Sequence, residues 1–208
     1  MSNIDKTPQD TLSANHKSAS DLRDKADLIA YLACGHKVKY LFFWGHTANT
    51  AGEVGKECFS QWYPAAFTID GIQYPTAEHY MMAEKARLFG DADAEQKILA
   101  SSHPGDAKML GRGVRDYVDT QWKKHRFEIV VRGNVAKFSQ HPQLQEFLLA
   151  SEQRVLVEAS PRDNIWGIGL GQDNLKAKIP SEWRGLNLLG FALMEVRARL
   201  LKIADSHV

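Results

Sequence analysis

Residues 67–88, FTIDGIQYPTAEHYMMAEKARL, carry a strand pattern that passes directly into a helix pattern, and this junction decides the fold. Asp70-Gly71 separates two short apolar runs, which is typical of a tight β-hairpin. Thr76 stands where a helix N-cap is expected, and the helix is predicted to run to about Leu88. A hairpin joined to a helix indicates a domain that mixes α and β structure.

The segments on either side of this junction are mostly helical in pattern. Helices are predicted over about residues 21–33, 91–101, 105–111, 116–138, 142–150 and 187–202, and strands over 37–44 and 153–158. Ser20-Asp21 is the expected cap of the first helix, and Pro104-Gly105 an expected break. We therefore expect a mostly helical α+β fold, with helices packed around a small β-sheet. Residues 1–20 are polar and are predicted to form a mobile tail.

Charge limits the partners that the protein can have. Its 208 residues include 26 Lys and Arg against 25 Asp and Glu, which excludes a polybasic protein that binds extended nucleic acid nonspecifically. Residues 105–137, however, hold eight basic and four acidic residues, a local charge of +4. Such a stretch is sufficient for one or two phosphates on a small ligand.

Cysteine and histidine patterns indicate neither a disulfide framework nor a metal site. Cys34 and Cys58 lie 24 residues apart, and none of the eight histidines forms a recognisable ligand motif. We therefore predict no metal and no cofactor. No apolar run reaches the roughly 18 residues of a membrane span, and no apolar secretory leader is evident, so we expect a cytoplasmic protein.

Three groups of residues could carry chemistry. Glu78 and Lys85 are seven apart on the predicted helix and therefore share one face, where they could line a cleft or belong to a solvated surface. The segment 158–171, EASPRDNIWGIGLG, follows a predicted strand and offers carboxylates, an amide, an indole ring and glycines. It could bind a planar ring and an anion, or form a tight structural loop with Trp166 in the core.

A third candidate is Gly111-Arg112-Gly113, within the basic stretch. Arg112 could hold a phosphate through charge-assisted hydrogen bonds, although solvated helix faces explain such a stretch equally well. Five tryptophans are many for this length, and one or two of them could stack on a base instead of packing in the core.

Taken together, these motifs resemble the NADAR family (YbiA-like proteins) from about residue 42 to residue 202. The resemblance is carried by FFWG at 42–45, FSQW at 59–62, YPTAEHYMMAEK at 74–85, KMLGR at 108–112, Trp122, AKF at 136–138, DNIWGIG at 163–169 and WRGLNLLG at 183–190. It implies a NADAR-like catalytic domain at 41–203, preceded by a partly helical extension at 21–40.

The resemblance also implies an N-glycosidase that hydrolyses the ribosyl C–N bond of a ribosylated nitrogen heterocycle. Two substrate classes are open: phosphorylated ribosylamino-pyrimidine intermediates of riboflavin synthesis, and ADP-ribosylated guanine in a nucleotide or nucleic acid. The catalytic residues would be Glu78, Lys85 and Asp163. Substrate would be bound by Trp62, His79, Arg112, Trp122, Asn164, Trp166 and Gly167.

Cleavage of a ribosyl C–N bond suggests a division of roles among these residues. Glu78 would act at the anomeric carbon or as general acid or base, and Asp163 would orient sugar hydroxyls or water. Trp166 would stack on the heterocycle, and Arg112 would hold phosphate. Lys85 would either hydrogen-bond Glu78 or attack C1′ to form an imine. A non-catalytic module that binds ADP-ribose or a nucleotide, and an interaction protein that docks through residues 1–40, are the alternatives.

Overall fold

The computed structural model describes residues 21–47 and 53–205, so the predicted tail at 1–20 lies outside the described residues. The helices are α1 Lys25–Ala33, α2 Ala77–Leu88, α3 Ala92–Ala100, α4 Pro104–Arg112, α5 Asp119–Gln140, α6 Pro142–Leu149 and α7 Leu188–Asp205. The strands are β1 Tyr40–Phe43, β2 Phe67–Ile69, β3 Ile72–Tyr74 and β4 Val155–Glu158. The predicted mostly helical α+β fold is confirmed.

The strands of the described residues form two sheets of two strands each, instead of the one small sheet that we predicted. β2 and β3 are the predicted hairpin, and Asp70 and Gly71 adopt φ values of +51° and +78° at its turn. Both values fall in the left-handed region that a two-residue hairpin turn requires, which explains the Asp-Gly pair. β1 and β4 pair in parallel, although more than a hundred residues separate them in the chain.

The parallel pair brings two loops to one edge of the fold. Phe43 and Glu158 are register partners at the carboxyl ends of β1 and β4, so the segments that follow them begin side by side. Asn187, just before α7, secures this edge with its side chain. It accepts a hydrogen bond from Glu158 N–H at 2.9 Å and donates one to Leu156 O at 2.9 Å. The loop at 159–174 therefore starts from a fixed point.

Helix α2 occupies the centre of the helical layer and packs against α3, α4 and α5. Thr76 caps it as predicted, because its hydroxyl accepts a hydrogen bond from His79 N–H. Two glycines permit the close packing. A Cβ at Gly111 of α4 would lie 2.1 Å from Met82 Sδ, and one at Gly133 of α5 would lie 2.4 Å from Tyr80 Cδ1. The position of α2 is therefore set by backbones that approach it directly.

Two helix starts differ from the prediction. α1 begins at Lys25 and is capped by Asp24, whose carboxylate accepts the Asp27 N–H at 2.8 Å, so the expected Ser20-Asp21 cap is wrong. α4 begins at Pro104, where a break was predicted, because proline lacks the N–H that the first helical turn leaves unpaired anyway.

The described part of the extension contacts the rest of the molecule. Lys25 Nζ donates a hydrogen bond to Trp183 O at 2.6 Å, which ties α1 to the segment before α7. Among the helices of the described ranges, none combines the length and apolar character needed to cross a membrane.

Candidate active site

A cleft of about 410 Å³ lies between α2, α4, the start of α5 and the loop that follows β4. Eight of the ten residues predicted for the site line it: Trp62, Glu78, Lys85, Arg112, Trp122, Asp163, Asn164 and Trp166. A hollow of about 490 Å³ beside α6 is larger, but the described residues that line it include no carboxylate. Titratable groups therefore converge in the cleft.

Glu78 lies in the first turn of α2 and is only 3% exposed. Its N–H donates to Gln61 O at 2.9 Å, which joins the helix start to the segment that carries Trp62. Burial raises the pKa of Glu78 to about 7, while Lys108 and a hydrogen bond from the Trp62 indole oppose that rise. Its Oε1 atom has no hydrogen-bond partner among the described residues. The carboxyl is thus poised to change protonation near neutral pH.

Glu158, the last residue of β4, is a second acid in the cleft. Burial, followed by the negative charges of Asp163 and Glu78, raises its pKa to about 8, and Lys108 opposes the rise. The sequence placed Glu158 in a candidate segment, but we did not predict it as a site residue. The feature that could have identified it is its position at the end of a predicted strand, where that segment begins.

Asp163 supplies the third carboxylate and organises the loop around itself. Its Oδ1 atom accepts hydrogen bonds from Ile165 N–H at 2.8 Å and from Trp166 N–H at 2.7 Å. This turn, closed by the side chain, fixes the backbone that presents Trp166 to the cleft. Asp163 is therefore both part of the lining and the residue that shapes the loop.

The charge of Lys108 opposes the rise in the pKa of both glutamates, and that of Arg112 also opposes the rise for Glu78, whereas Lys85 is hydrogen-bonded elsewhere. Lys85 Nζ donates to Gly111 O at 2.7 Å and lies 4.3 Å from the centroid of the Tyr117 ring. The structure therefore pairs Lys85 with Gly111 O and not with Glu78, the partner that one of the two predictions for Lys85 required. Burial and the charge of Arg112 lower the pKa of Lys85, which favours a fraction of neutral amine. Lys108 was counted in the basic stretch but not predicted as a site residue.

Three indole rings line the same cleft. Trp62 lies between two imidazoles, with ring centroids 5.4 Å from His46 and 5.9 Å from His103. Trp122 is 7% exposed and its ring centroid lies 5.8 Å from Lys85 Nζ. The rings give a planar ligand several surfaces on which to stack.

His79 and Gly167, both predicted to bind substrate, lie outside this lining. His79 is fully buried, and its Nδ1 atom lies 2.8 Å from the Thr76 hydroxyl in a hydrogen bond at the start of α2. A Cβ at Gly167 would lie 2.9 Å from Glu158 O and 3.1 Å from Asp163 O, so that position serves the packing of the loop. In addition to Lys108 and Glu158, the cleft includes residues that we did not predict: Ser60, Gln61, Met81, Met82, Arg162, Ile165 and Leu189.

Comparisons with known proteins identify the family. The model of the NADAR domain matches residues 42–201. N-glycosidase R617 of Acanthamoeba polyphaga mimivirus is 46% identical over 164 residues, which cover 76% of this chain and 95% of that protein. N-glycosidase YbiA of Escherichia coli (strain K12) is 32% identical over 142 residues, covering 68% and 80% of the two chains.

Two further similarities concern a biosynthetic protein and a solved structure. The chloroplastic riboflavin biosynthesis protein PYRR of Zea mays is 34% identical over 139 residues, which cover 64% of this chain and 20% of that longer protein. The NMR structure of Escherichia coli YbiA superimposes with a TM-score of 0.65 at 28% identity, covering 83% of this chain and 91% of that one.

Proposed function

The chain belongs to the NADAR family and is a hydrolase acting on N-glycosyl bonds, and from this premise we propose that it cleaves the ribosyl C–N bond of a phosphorylated riboside. This assignment sets aside the non-catalytic binding module that the sequence left open. The observation that carries the proposal is the convergence of Glu78, Glu158 and Asp163 in one cleft that also contains Lys85, Lys108, Arg112 and Arg162.

The charges of the cleft favour an anionic ligand. Among the described residues, Lys108, Arg112 and Arg162 share the lining with three carboxyls. Burial raises the pKa values of Glu78 and Glu158 to about 7 and about 8, so both carboxyls are partly neutral at physiological pH. The excess of positive charge supports binding of a phosphate group. Arg112, an exposed side chain at the end of α4, is the residue that we assign to this contact.

Bond cleavage places positive charge on the anomeric carbon, and a carboxylate stabilises such a centre. We assign this role to Glu78, because α2 holds it rigidly and its Oε1 atom is free of other described partners. Asp163 would orient sugar hydroxyls or the attacking water. Trp166 and Trp62 would hold the heterocycle by stacking, as the sequence suggested.

Lys85 offers a second route to the same products. Its neutral amine would bond to C1′ and lose a proton as the C1′–N bond breaks and the base leaves. The C1′–O4′ bond would then open with a proton passing to O4′, which leaves the sugar on Nζ as an imine that water hydrolyses. The lowered pKa of Lys85 supports this route, because only a neutral amine is nucleophilic. Its hydrogen bond to Gly111 O would have to be exchanged for the substrate.

Two substrate classes fit this chemistry. A ribosylamino-pyrimidine phosphate is favoured by the similarity to a riboflavin biosynthesis protein. ADP-ribosylated guanine is favoured by the three indoles of the cleft, Trp62, Trp122 and Trp166, since this substrate has two bases to stack while the pyrimidine riboside has one.

A side-by-side hydrolysis assay tests the proposal. Purified protein is offered the ribosylamino-pyrimidine phosphate and ADP-ribosylated guanine, the latter as nucleotide and within DNA, and the released base is detected by mass spectrometry. We expect release from one class that Glu78→Gln abolishes. If the wild type releases base from neither class, the proposal is overturned.

A further inference from the structure

A nitrogen heterocycle is a poor leaving group unless it receives a proton as the C1′–N bond breaks. In the proposed function Glu78 acts at the sugar and Asp163 on its hydroxyls, so neither supplies that proton. Among the described residues that line the cleft, one further carboxyl is present, that of Glu158.

The backbone of Glu158 is held on both sides. Its N–H donates to Asn187 Oδ1 at 2.9 Å, and its carbonyl oxygen accepts from Ile168 N–H at 2.9 Å. The side chain extends from this fixed point into the cleft, where Oε2 is buried without a hydrogen-bond partner among the described residues. A carboxyl with a purely structural role would pair its oxygens, since leaving a buried oxygen without a hydrogen bond costs free energy.

The charges that face Glu158 come from three elements. Glu78 of α2 and Asp163 of the loop disfavour its ionisation, while Lys108 of α4 favours it. The other charged residues of the lining are Lys85, Arg112 and Arg162. Burial, followed by the two acids, outweighs Lys108 and raises the pKa of Glu158 to about 8. Burial also raises the pKa of Glu78 to about 7.

Two carboxyls in one cleft can divide acid and base work between them. Burial raises the pKa of both Glu78 and Glu158, so the pair can hold a proton near neutral pH. Since Glu78 is assigned to the anomeric carbon, which requires negative charge, Glu158 is the carboxyl that has the proton to give.

We propose that Glu158 is the general acid of this N-glycosidase, donating its proton to the nitrogen that leaves C1′; this rests on the proposed function. The electron pair of the C1′–N bond passes to the nitrogen, which takes the proton from Glu158. Water then forms the new bond to C1′ and releases a proton to the Glu78 carboxylate, and solvent exchange restores the starting state. If Lys85 attacks C1′ before water does, Glu158 still donates its proton to the leaving nitrogen.

The test compares Glu158→Gln with Glu182→Gln, an exposed control whose partner is Lys176. Two ribosides that the wild type hydrolyses are used, differing only in an electron-withdrawing substituent on the heterocycle. We expect Glu158→Gln to lose about 100-fold or more in kcat on the ordinary riboside. The loss should be much smaller on the activated one, whose base leaves without full protonation. A structural defect would slow both equally and would overturn the assignment.

The pH profile of the wild type gives a second readout, which does not depend on the folding of a variant. With the ordinary riboside, kcat should fall as the pH rises through about 8, where Glu158 loses its proton. The activated riboside should show a weaker fall. A profile that stays flat above this pH for the ordinary riboside overturns the inference and leaves the proposed function intact, whereas absence of any base release overturns the proposed function itself.

Discussion

The ammonium of Lys137 lies 2.6 Å from Cys58 O and 3.0 Å from Ser60 O, and it donates a hydrogen bond to each. Lys137 belongs to α5 and is fully buried. The two carbonyls that it holds precede Trp62, a residue of the cleft. Through these two hydrogen bonds, helix α5 holds the segment that presents Trp62 to the cleft.

This buried lysine gives the protein a pH-dependent stability. Burial lowers the pKa of Lys137 from 10.5 to about 8, so between these values the unfolded chain retains a proton that the folded chain has released. Folding stability contributed by Lys137 therefore rises with pH across that window. We expect Lys137→Met to lack this rise when urea unfolding is followed at several pH values.

A matched control is Lys97→Met on α3, since Lys97 is exposed and paired with Asp93. It should unfold with the same pH dependence as the wild type. An identical pH dependence for Lys137→Met would show that this lysine titrates normally in the folded protein.

Glu78→Gln should lose hydrolysis, by about 100-fold or more, while the fold is retained. The raised pKa of Glu78 also predicts a stability effect. A raised carboxyl pKa stabilises the folded state below 4.5, and this stabilisation is lost as the pH rises through about 7. Thermal melts of Glu78→Gln should therefore improve relative to the wild type as the pH rises across this range. Glu84→Gln, on the same helix and paired with Arg87, is the control that should remain active.

Lys85 should be trapped if the imine route operates. Borohydride added during turnover would reduce the imine to a stable amine, and peptide mapping would locate the sugar adduct on Lys85. Lys108 also lines the cleft and is the internal comparison, because an adduct there would contradict the role given to Lys85. Active enzyme with no adduct would favour direct attack by water.

Trp166→Ala should weaken substrate binding more than it slows chemistry. Stacking of a base on an aromatic ring contributes about 1–3 kcal/mol, so we expect KM to rise by roughly 5- to 150-fold. Trp166 also packs against the core, and thermal melts separate lost stacking from lost stability. Trp44→Ala is the comparison, since Trp44 is 62% exposed and outside the described lining of the cleft.

Arg112→Gln should discriminate between phosphorylated and unphosphorylated ribosides. We expect KM for the phosphorylated substrate to rise about tenfold or more, because a charge-assisted hydrogen bond is worth about 1.5–3 kcal/mol. Hydrolysis of the unphosphorylated nucleoside should change little. Arg132→Gln, an exposed residue paired with Asp70, should leave both unchanged. Equal losses on both ribosides would place the phosphate elsewhere.

Local elements of the fold could be predicted because their signals lie within a few residues. The Asp70-Gly71 turn and the Thr76 cap depend on backbone geometry that each short segment dictates. Pro104 was misread because proline both ends helices and begins them, and only the neighbouring structure separates these outcomes.

Only those parts of the site that lie within one element could be predicted. Residues on one helix face or in one loop, such as Glu78 and Lys85 or Asp163 and Trp166, can be grouped from their spacing. The partner of a buried charge cannot be predicted from spacing, because it comes from another element. Lys108 and Arg112, rather than Lys85, are the cations that act on Glu78, because α4 packs across α2 at the close approach that Gly111 allows.

The sequence alone determined the helical and hairpin segments, which follow from local geometry, and the family, which follows from motifs in order; the class of bond that is cleaved is implied by that family resemblance. Tertiary structure decided which carboxyls meet and how tightly each holds its proton. β4 pairs with β1, and its last residue, Glu158, then faces Glu78 across a cleft. Burial and mutual charge set their pKa values, and both depend on distances between atoms that lie far apart in the chain.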